Sequence, residues 1–323
     1  MDPFVSTVYT GDPAKMSFAS VFPAIARVAA NSNTVGGLLV GAIKSRLNGP
    51  PARDYGVLPP VPKGASLSLR GGLTQLPATA RARLSDKCQT GWEATSLQQR
   101  ADGAFDVCFS TDSGTKTVRA KAVVVATPAP VAAKLLSSVS PNAGKMLADI
   151  RAPPVFAVTV SYPSSAFAPG KCVDEDTGAL AAFGVLIPSS AVGLKTLGFQ
   201  FISSLFKERA PAGQEVLLAY YGGAQKSDTA SMTTDEVVAA VHADAQKMLL
   251  KPYSPPPSVL SVHKWDAGIP QYEVGHAHII SAVKKELPPG IVLCGNAFGG
   301  GISLGDCAKQ ALASADEVLA VVQ

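Results

Sequence analysis

The chain has 323 residues and a net charge of +4, and 47% of its residues are hydrophobic while only 16% are charged. This composition excludes an intrinsically disordered protein, and the length is sufficient for two domains with large cores. The Lys and Arg residues are scattered and form no basic stripe interleaved with aromatic residues, so no nucleic-acid partner is expected.

The first predicted elements are helical. Ser17 is typical of an N-cap, and apolar residues recur at helical spacing after it, which predicts a helix over 17–30. The elements predicted next are a helix over 35–47, a proline-rich loop over 49–64, a strand over 66–70 and a helix over 74–84.

Three strands are predicted next, over 88–98, 104–110 and 115–126, with a hairpin turn at Asp112–Gly114. The last of them ends in an apolar run at Val123–Val125 that does not alternate with polar residues. Such a run predicts a strand buried on both faces.

The second half predicts more strands and three helices. Thr233 and Glu236 form a capping box, and the helix after them has an apolar stripe that predicts core packing. The predicted strands are 155–162, 182–188, 195–202, 215–221, 257–265 and 291–294, and the predicted helices are 233–250, 276–286 and 302–321.

A glycine-rich segment, Leu293–Gly305, connects the last strand to the last helix. Glycines allow positive φ and close approach of a ligand, and a helix N-terminus offers N–H groups to a phosphate or a flavin carbonyl. The alternative is a plain strand-to-helix turn. The segment is not a GxGxxG dinucleotide fingerprint, and the sequence contains no such fingerprint.

Cysteine and histidine patterns do not predict a metal site. The five cysteines are odd in number, far apart and without a CxxC pair, which favours reduced, buried thiols. His276 and His278 form an HxH pair without further nearby ligands, so a structural role is predicted for both. No convincing Ser/His/Asp arrangement occurs.

No run of about 18 uncharged apolar residues occurs, so no membrane-spanning helix is predicted. The positive mean hydropathy is still compatible with a surface that lies on a membrane. The N-terminal residues Met1–Phe4 do not resemble a signal or transit peptide and are typical of the middle of a folded element.

Several motifs resemble those of flavin enzymes. Arg70–Leu73, followed by the strand end at Val123–Pro128, resembles the flavin-containing amine-oxidase superfamily. Further motifs are similar to those of the plastid-type protoporphyrinogen oxidase family. These are Asp2–Pro13, Met16–Ser17, Ala19–Phe22, Thr196–Gly198, Ser203–Phe206, Arg209–Pro211, Leu217–Leu218, Tyr221–Ala224, Trp265, Ile269–Tyr272 and Gly275–His276.

This resemblance implies an FAD enzyme that oxidises protoporphyrinogen IX with molecular oxygen in heme and chlorophyll biosynthesis. It implies substrate contacts at three residues: Phe201, stacked on a pyrrole ring, Leu180 as an apolar wall, and Ala182, where the family has glycine. It implies cofactor contacts at Ala94, Asn296, Ile302, Ser303 and Leu304. A catalytic side chain is not implied, since the flavin carries the redox chemistry.

The expected fold is α/β (α+β mixed): an amine-oxidase-like fold without its N-terminal GxGxxG unit, and with a mixed-sheet substrate domain. The expected domains are a helical, membrane-facing remnant over 1–63, parts of the FAD domain over 64–150 and 290–323, and the substrate domain over 151–289. The missing fingerprint leads us to expect a truncated gene model, a shortened isoform or a fragment.

Two other functions stay open at this point, a non-catalytic fragment and a different flavin amine oxidase or desaturase relative. The expected location is the surface of a plastid membrane, with the mitochondrion as the alternative. Homo-oligomerisation is also left open.

The first prediction concerns cofactor binding. The purified 323-residue chain should be colourless and carry less than one FAD per chain, because the anionic pyrophosphate normally rests on the helix N-terminus of a GxGxxG unit. Flavin absorbance per mole of chain measures this. An extended chain, with an upstream in-frame segment that encodes such a unit, is the control and should be yellow. One FAD per chain in the short form would contradict the prediction.

Overall fold

The computed structural model describes residues 2–23, 25–26, 67–170, 172–226 and 228–323. The predicted helix over 35–47 and the predicted loop over 49–64 lie outside these residues. Both helices and strands are present, as expected of a mixed α/β fold.

The helices and strands have the following bounds. The α-helices are α1 (Asp2–Val8), α2 (Phe18–Val21), α3 (Gln75–Leu84), α4 (Ala129–Leu136), α5 (Pro141–Ala148), α6 (Ile202–Leu205), α7 (Thr234–Met248), α8 (His276–Glu286) and α9 (Leu304–Val322). The strands are β1 (Glu93–Gln99), β2 (Phe105–Thr111), β3 (Gly114–Ala120), β4 (Val123–Val125), β5 (Val155–Pro163), β6 (Gly184–Leu186), β7 (Thr196–Phe201), β8 (Gln214–Gly222), β9 (Ser258–Trp265) and β10 (Ile291–Leu293).

The largest sheet has five strands in the order β6-β7-β8-β5-β9, and every neighbouring pair is antiparallel. Because successive side chains of a strand point to opposite faces, the sheet has two different surfaces. One face carries alternate residues of β5 and β8, such as Phe156, Val158 and Leu217, and these pack with α7 in the main hydrophobic core. The apolar stripe of α7 is therefore core, as predicted.

A second core lies around a three-stranded meander, β1-β2-β3, and a parallel pair, β4 and β10. Leu97 and Phe105 of the meander are fully buried there, with Leu136 of α4 and Leu147 of α5. Helix α8 also packs here, through Ile280 and Val283, although its residues were assigned to the substrate domain over 151–289. The domain boundaries themselves stay a prediction.

A small third cluster connects the N-terminal segment to the rest of the chain. Val5, Tyr9 and Val21 pack on Tyr272, and Ile302 lies against the same group. Helix α1 therefore lies between the large sheet and the start of α9.

Three secondary-structure predictions were wrong. Residues 67–70 form loop and turn rather than a strand, because no described strand pairs with them; Arg209 instead donates hydrogen bonds to Ser68 Oγ and Leu69 O. The segment 115–126 is two strands, since β3 pairs with the meander and β4 with β10. A mixed sheet was predicted over 151–289, but the described strands of the large sheet all pair antiparallel.

The expected burial also differs in two places. Val124 in β4 is 44% exposed, because β4 has β10 as its single neighbour among the described strands. All five cysteines are free, as predicted, but only Cys294 is buried and Cys172 is exposed. Within the described residues, each helix is too short or too polar to span a bilayer.

A buried carboxylate fixes the start of β7 to α7. Asp244 of α7 is almost fully buried, and its Oδ2 accepts hydrogen bonds from the backbone N–H groups of Lys195 and Thr196 and from Thr196 Oγ1, at 2.7–2.9 Å. The three donors belong to Lys195 and Thr196, where β7 begins. The carboxylate therefore anchors the start of this strand to α7.

The second prediction concerns this contact. Asp244→Ala should destabilise the chain by about 2–5 kcal/mol, because it leaves the buried N–H and hydroxyl of Thr196 and the partly buried N–H of Lys195 without their acceptor. Urea unfolding followed by circular dichroism measures the change. Gln246→Ala, on the exposed face of the same helix, is the matched control and should shift stability by less than about 0.5 kcal/mol. Equal stability of the two variants would contradict the prediction.

Candidate functional site

The second face of the large sheet borders a cavity of about 610 Å³. The residues that line it come from the sheet, from α1 and from the segment after β9. They are Phe4, Thr7, Val8, Thr10, Val155, Ala157, Phe183, Gly184, Val185, Leu186, Gly198, Phe199, Gln200, Tyr220, Trp265, Gly268 and Ile269. Because successive side chains of a strand point to opposite faces, β5 contributes residues both to the main core and to the cavity.

Small residues create the room above the sheet. Ala157 and Gly198 lie on either side of Tyr220 in the cavity floor. A side chain at Gly198 would have a Cβ only 2.5 Å from the carbonyl oxygen of Val185 and 3.0 Å from Thr7 Cγ2. Glycine at this position is therefore required for α1 to pack so closely on β7.

The cavity is neutral. None of the described residues that line it is charged. Burial raises the pKa of Tyr220, so its phenol stays protonated at physiological pH. Thr7 donates its hydroxyl hydrogen bond to Leu197 O at 2.6 Å and is already satisfied. The cavity is thus suited to the neutral, apolar body of a ligand rather than to a charged group.

Thr10 is a strained residue in the cavity wall. Its φ is +50°, in the left-handed region, which costs a non-glycine residue roughly 1–2 kcal/mol. Its carbonyl accepts from Ala224 N–H at 2.7 Å, and the carbonyls of Tyr9 and Gly11 accept from the side chains of Gln271 and Gln225. These contacts fix the backbone at the end of α1. The buried Thr10 Oγ1 has no hydrogen-bond partner among the described residues.

The glycine-rich turn after β10 is the second part of the site. Gly295, Gly299, Gly300 and Gly301 all have positive φ, between +87° and +125°. The turn follows the carboxyl ends of the parallel strands β4 and β10. It ends at Ser303, whose side chain accepts from the Asp306 N–H as the N-cap of α9. The first N–H groups of α9 therefore point toward the turn.

Tyr272 and His276 support this turn through side-chain hydrogen bonds to its backbone. The Tyr272 hydroxyl donates a hydrogen bond to Asn296 O, so it connects the segment after β9 to the start of the turn. His276 lies stacked on Tyr272, with ring centroids 4.4 Å apart, and its Nε2 donates to Ala297 O at 3.0 Å. Desolvation lowers the pKa of His276, which favours the neutral ring.

Two buried polar atoms near this turn lack partners among the described residues. Thr127 Oγ1 lies just beyond the carboxyl end of β4, and Gln310 Nε2 lies beside Gly300, where a Cβ would come within 3.1 Å of it. Buried polar groups are normally hydrogen-bonded, so these two mark places where a polar ligand would complete the structure. Together with the glycines and the α9 N-terminus, they fit a flavin at this turn.

The structure brings four of the five predicted cofactor residues together. Asn296, Ile302, Ser303 and Leu304 all lie in the glycine-rich turn or at the start of α9. Ala94 lies apart from them, in β1 of the meander, where it is partly buried against the second core. Their contacts with FAD stay a prediction.

The predicted substrate residues lie near the cavity but do not line it. Phe201 is fully buried in the main core, on the face of β7 opposite the cavity, and Leu180 is buried in the same core. Ala182 packs against that core from the edge. The neighbours Gln200 and Phe183 line the cavity instead. The role of the three predicted residues stays a prediction.

Sequence reasoning assigned no role to Tyr272, Thr10 or Tyr220. Tyr272 was recognised only as part of a family motif, and its hydrogen bond to the turn joins residues 24 positions apart. Alternating side chains in β8 show that Tyr220 and Tyr221 point to opposite faces of the sheet. The sequence does not show which of these faces packs against a helix and which borders a cavity.

Comparison with known proteins identifies the family. The family model described as flavin containing amine oxidoreductase matches residues 1–319, so the chain belongs to this family. A rice protein named protoporphyrinogen oxidase, chloroplastic, is 38% identical over 324 residues, which cover 98% of this chain and 59% of the rice protein. An Arabidopsis thaliana protein named protoporphyrinogen oxidase 1, chloroplastic, is 37% identical over 98% of this chain and 59% of its own length.

Solved structures show the same fold. A crystal structure from Exiguobacterium sp. 255-15, provisionally named a protoporphyrinogen oxidase, has a TM-score of 0.71 at 22% identity and is matched over 99% of this chain and 62% of its own. This chain therefore spans about three fifths of the length of its relatives. Within the described residues, no group of three or more metal-ligating side chains occurs.

The third prediction concerns the support of the glycine-rich turn. Tyr272→Phe should speed amide hydrogen exchange in residues 295–303, on the order of tenfold, because Asn296 O loses its donor and the turn loses this contact with the segment after β9. Hydrogen exchange with mass spectrometry measures this. Tyr9→Phe is the matched control, since its hydroxyl donates to Val21 O instead. Unchanged exchange in Tyr272→Phe, or equal acceleration in both variants, would contradict the prediction.

Proposed function

We propose that this chain is part of an FAD-dependent, plastid-type protoporphyrinogen oxidase, which oxidises protoporphyrinogen IX to protoporphyrin IX with molecular oxygen. The observation that carries the proposal is the identity of 37–38% to plant proteins of that name over nearly the whole chain. The geometry supports it through an apolar, neutral cavity on the large sheet and a glycine-rich turn that the segment from Gly268 to His276 connects to that cavity.

The cavity is compatible with the substrate. A volume of about 610 Å³ lies within the range of sites that bind small molecules, and its walls are mainly aliphatic and aromatic. The ring system of protoporphyrinogen is neutral and apolar, and its charged propionates would lie outside the neutral cavity. Phe4 and Trp265 stand at exposed positions of the lining and provide aromatic surface for the macrocycle.

The glycine-rich turn would hold the flavin. The first backbone N–H groups of α9, at Leu304 and Gly305, suit an electronegative carbonyl of the ring, and Thr127 Oγ1 and Gln310 Nε2 offer further hydrogen bonds. When bound, the flavin supplies the redox chemistry. The contribution of this chain is to fix the turn through Tyr272 and His276, and to exclude water from the cavity.

We also propose modified roles for Phe201, Leu180 and Ala182. They support the cavity from the core side and do not line it. Phe201 lies beneath Gln200, so it supports the cavity floor from the core face of β7. Leu180 and Ala182 approach the same edge of the sheet and define the position of Phe183. A flavin contact of Ala94 through its backbone is proposed as well.

The proposed location is the surface of a plastid membrane. The two plant relatives are named chloroplastic. Near the N-terminus, Phe4, Phe18 and Ile25 expose between 40% and 47% of their surface, and such apolar side chains are suited to contact with lipid.

The fourth prediction tests activity in a chain extended by the segment that encodes a GxGxxG unit. The extended chain should form protoporphyrin from protoporphyrinogen IX, measured by its fluorescence. Ala157→Phe should lower kcat/KM at least tenfold with little change in thermal stability, because the new ring fills the cavity. Phe201→Ala should lower both kcat/KM and stability, the latter by about 3–5 kcal/mol, because it leaves a hole in the core.

Val192→Phe is the control, since Val192 is 98% exposed and is not one of the residues that line the cavity. Its kcat/KM should match that of the parent. An extended, FAD-loaded chain that forms no protoporphyrin would refute the proposed function, while full activity in Ala157→Phe would show that the cavity is not the substrate site.

A further inference from the structure

Tyr220 occupies the centre of the cavity floor. In the ladder of the large sheet it pairs with Gly198 of β7 on one side and with Ala157 of β5 on the other. Directly opposed side chains in a sheet lie within about 5.5 Å of each other, so each neighbour limits the space around the ring. Because both neighbours are very small, the phenol projects from the floor with open space on either side.

The hydroxyl of Tyr220 has no protein partner in the described part of the chain. Its backbone is part of the β8 ladder, but no hydrogen bond within the described residues involves its side chain, and desolvation is the cause of its raised pKa. Tyr220 is only partly buried, and its hydroxyl is not one of the buried side-chain atoms without a partner, so it is open to the cavity. A ligand that fills the cavity covers this hydroxyl and displaces its water, so the ligand itself must offer a hydrogen-bond partner.

The chemistry of the cavity restricts what this partner is. A carboxylate beside Tyr220 would be buried without a counter-ion, because none of the described lining residues is charged. A neutral N–H donor can be buried there at much lower cost. The phenol is protonated at physiological pH and its oxygen still has lone pairs, so it can accept a hydrogen bond from such a donor.

We propose that the Tyr220 hydroxyl binds the substrate directly, by accepting a hydrogen bond from a pyrrole N–H of a tetrapyrrole in the cavity. This inference rests on the proposed function, which supplies the tetrapyrrole. It assigns to Tyr220 a role in selecting the reduced macrocycle, whose pyrrole N–H groups are not confined to the centre of a flat ring. Tyr220 acts in binding and positioning, and no proton transfer is assigned to it.

The test is the affinity of the 323-residue chain for protoporphyrinogen IX, measured by anaerobic isothermal titration calorimetry. Tyr220→Phe keeps the ring and removes only the hydroxyl, so it should weaken binding about five- to tenfold, as expected for one neutral hydrogen bond. Tyr221→Phe is the matched control. This neighbour points to the opposite face of β8, into the main core, and its variant should bind as tightly as the parent.

A second titration uses the dimethyl ester of protoporphyrinogen IX, in which the propionates are neutral. The loss in Tyr220→Phe should be the same with this probe. A loss that disappears with the ester would assign the hydroxyl to a propionate and overturn the inference. Equal affinity of Tyr220→Phe and parent, or the same loss in Tyr221→Phe, would also overturn it while the proposed function stands. If the parent chain binds neither probe, the inference fails, while the proposed function is decided separately by the activity of the extended chain.

Discussion

The two-sided pleat of the five-stranded sheet is the constraint on which the rest of the structure depends. Strand β5 contributes Phe156, Val158 and Val160 to the face that packs on α7, and Val155 and Ala157 to the face that borders the cavity. A shift of register by one residue would exchange these two sets. The same alternation therefore builds the main core and leaves the opposite face available for a ligand.

The segment from Gly268 to His276 connects the cavity to the glycine-rich turn. Gly268 and Ile269 line the cavity, Gln271 Nε2 donates to Tyr9 O, and Tyr272 and His276 hydrogen-bond to the turn. The two parts of the site are thus fixed by one short piece of backbone. Since interiors are close-packed, a displacement at one end is transmitted to the other rather than absorbed.

Apolar residues remain exposed where the described part of the chain has no further layer. In α9 only Ser314 is buried, while Leu304, Leu312 and Leu319 are exposed, and Val124 of β4 is exposed beside them. Solved relatives of the same fold are longer than this chain, so part of their structure has no counterpart here. The glycine-rich turn lies at this open side, next to the start of α9.

The sequence by itself determined the local elements and the family. The capping box at Thr233, the hairpin turn at Asp112–Gly114 and the helix at His276–Glu286 are encoded by neighbouring residues, so propensity and periodicity are sufficient to find them. The motifs that resemble those of protoporphyrinogen oxidases can likewise be recognised from the sequence alone, and the resemblance implied cofactor contacts in the glycine-rich turn.

Only the tertiary structure decided which residues meet. Phe201 and Gln200 are adjacent in sequence, yet they lie on opposite faces of β7, and only the position of α7 shows which face is core. The division of 115–126 into strands of two sheets and the contact of Tyr272 with the turn also depend on residues distant in sequence. Such pairings are set by packing and by long-range hydrogen bonds, and these leave no periodic signal in the chain.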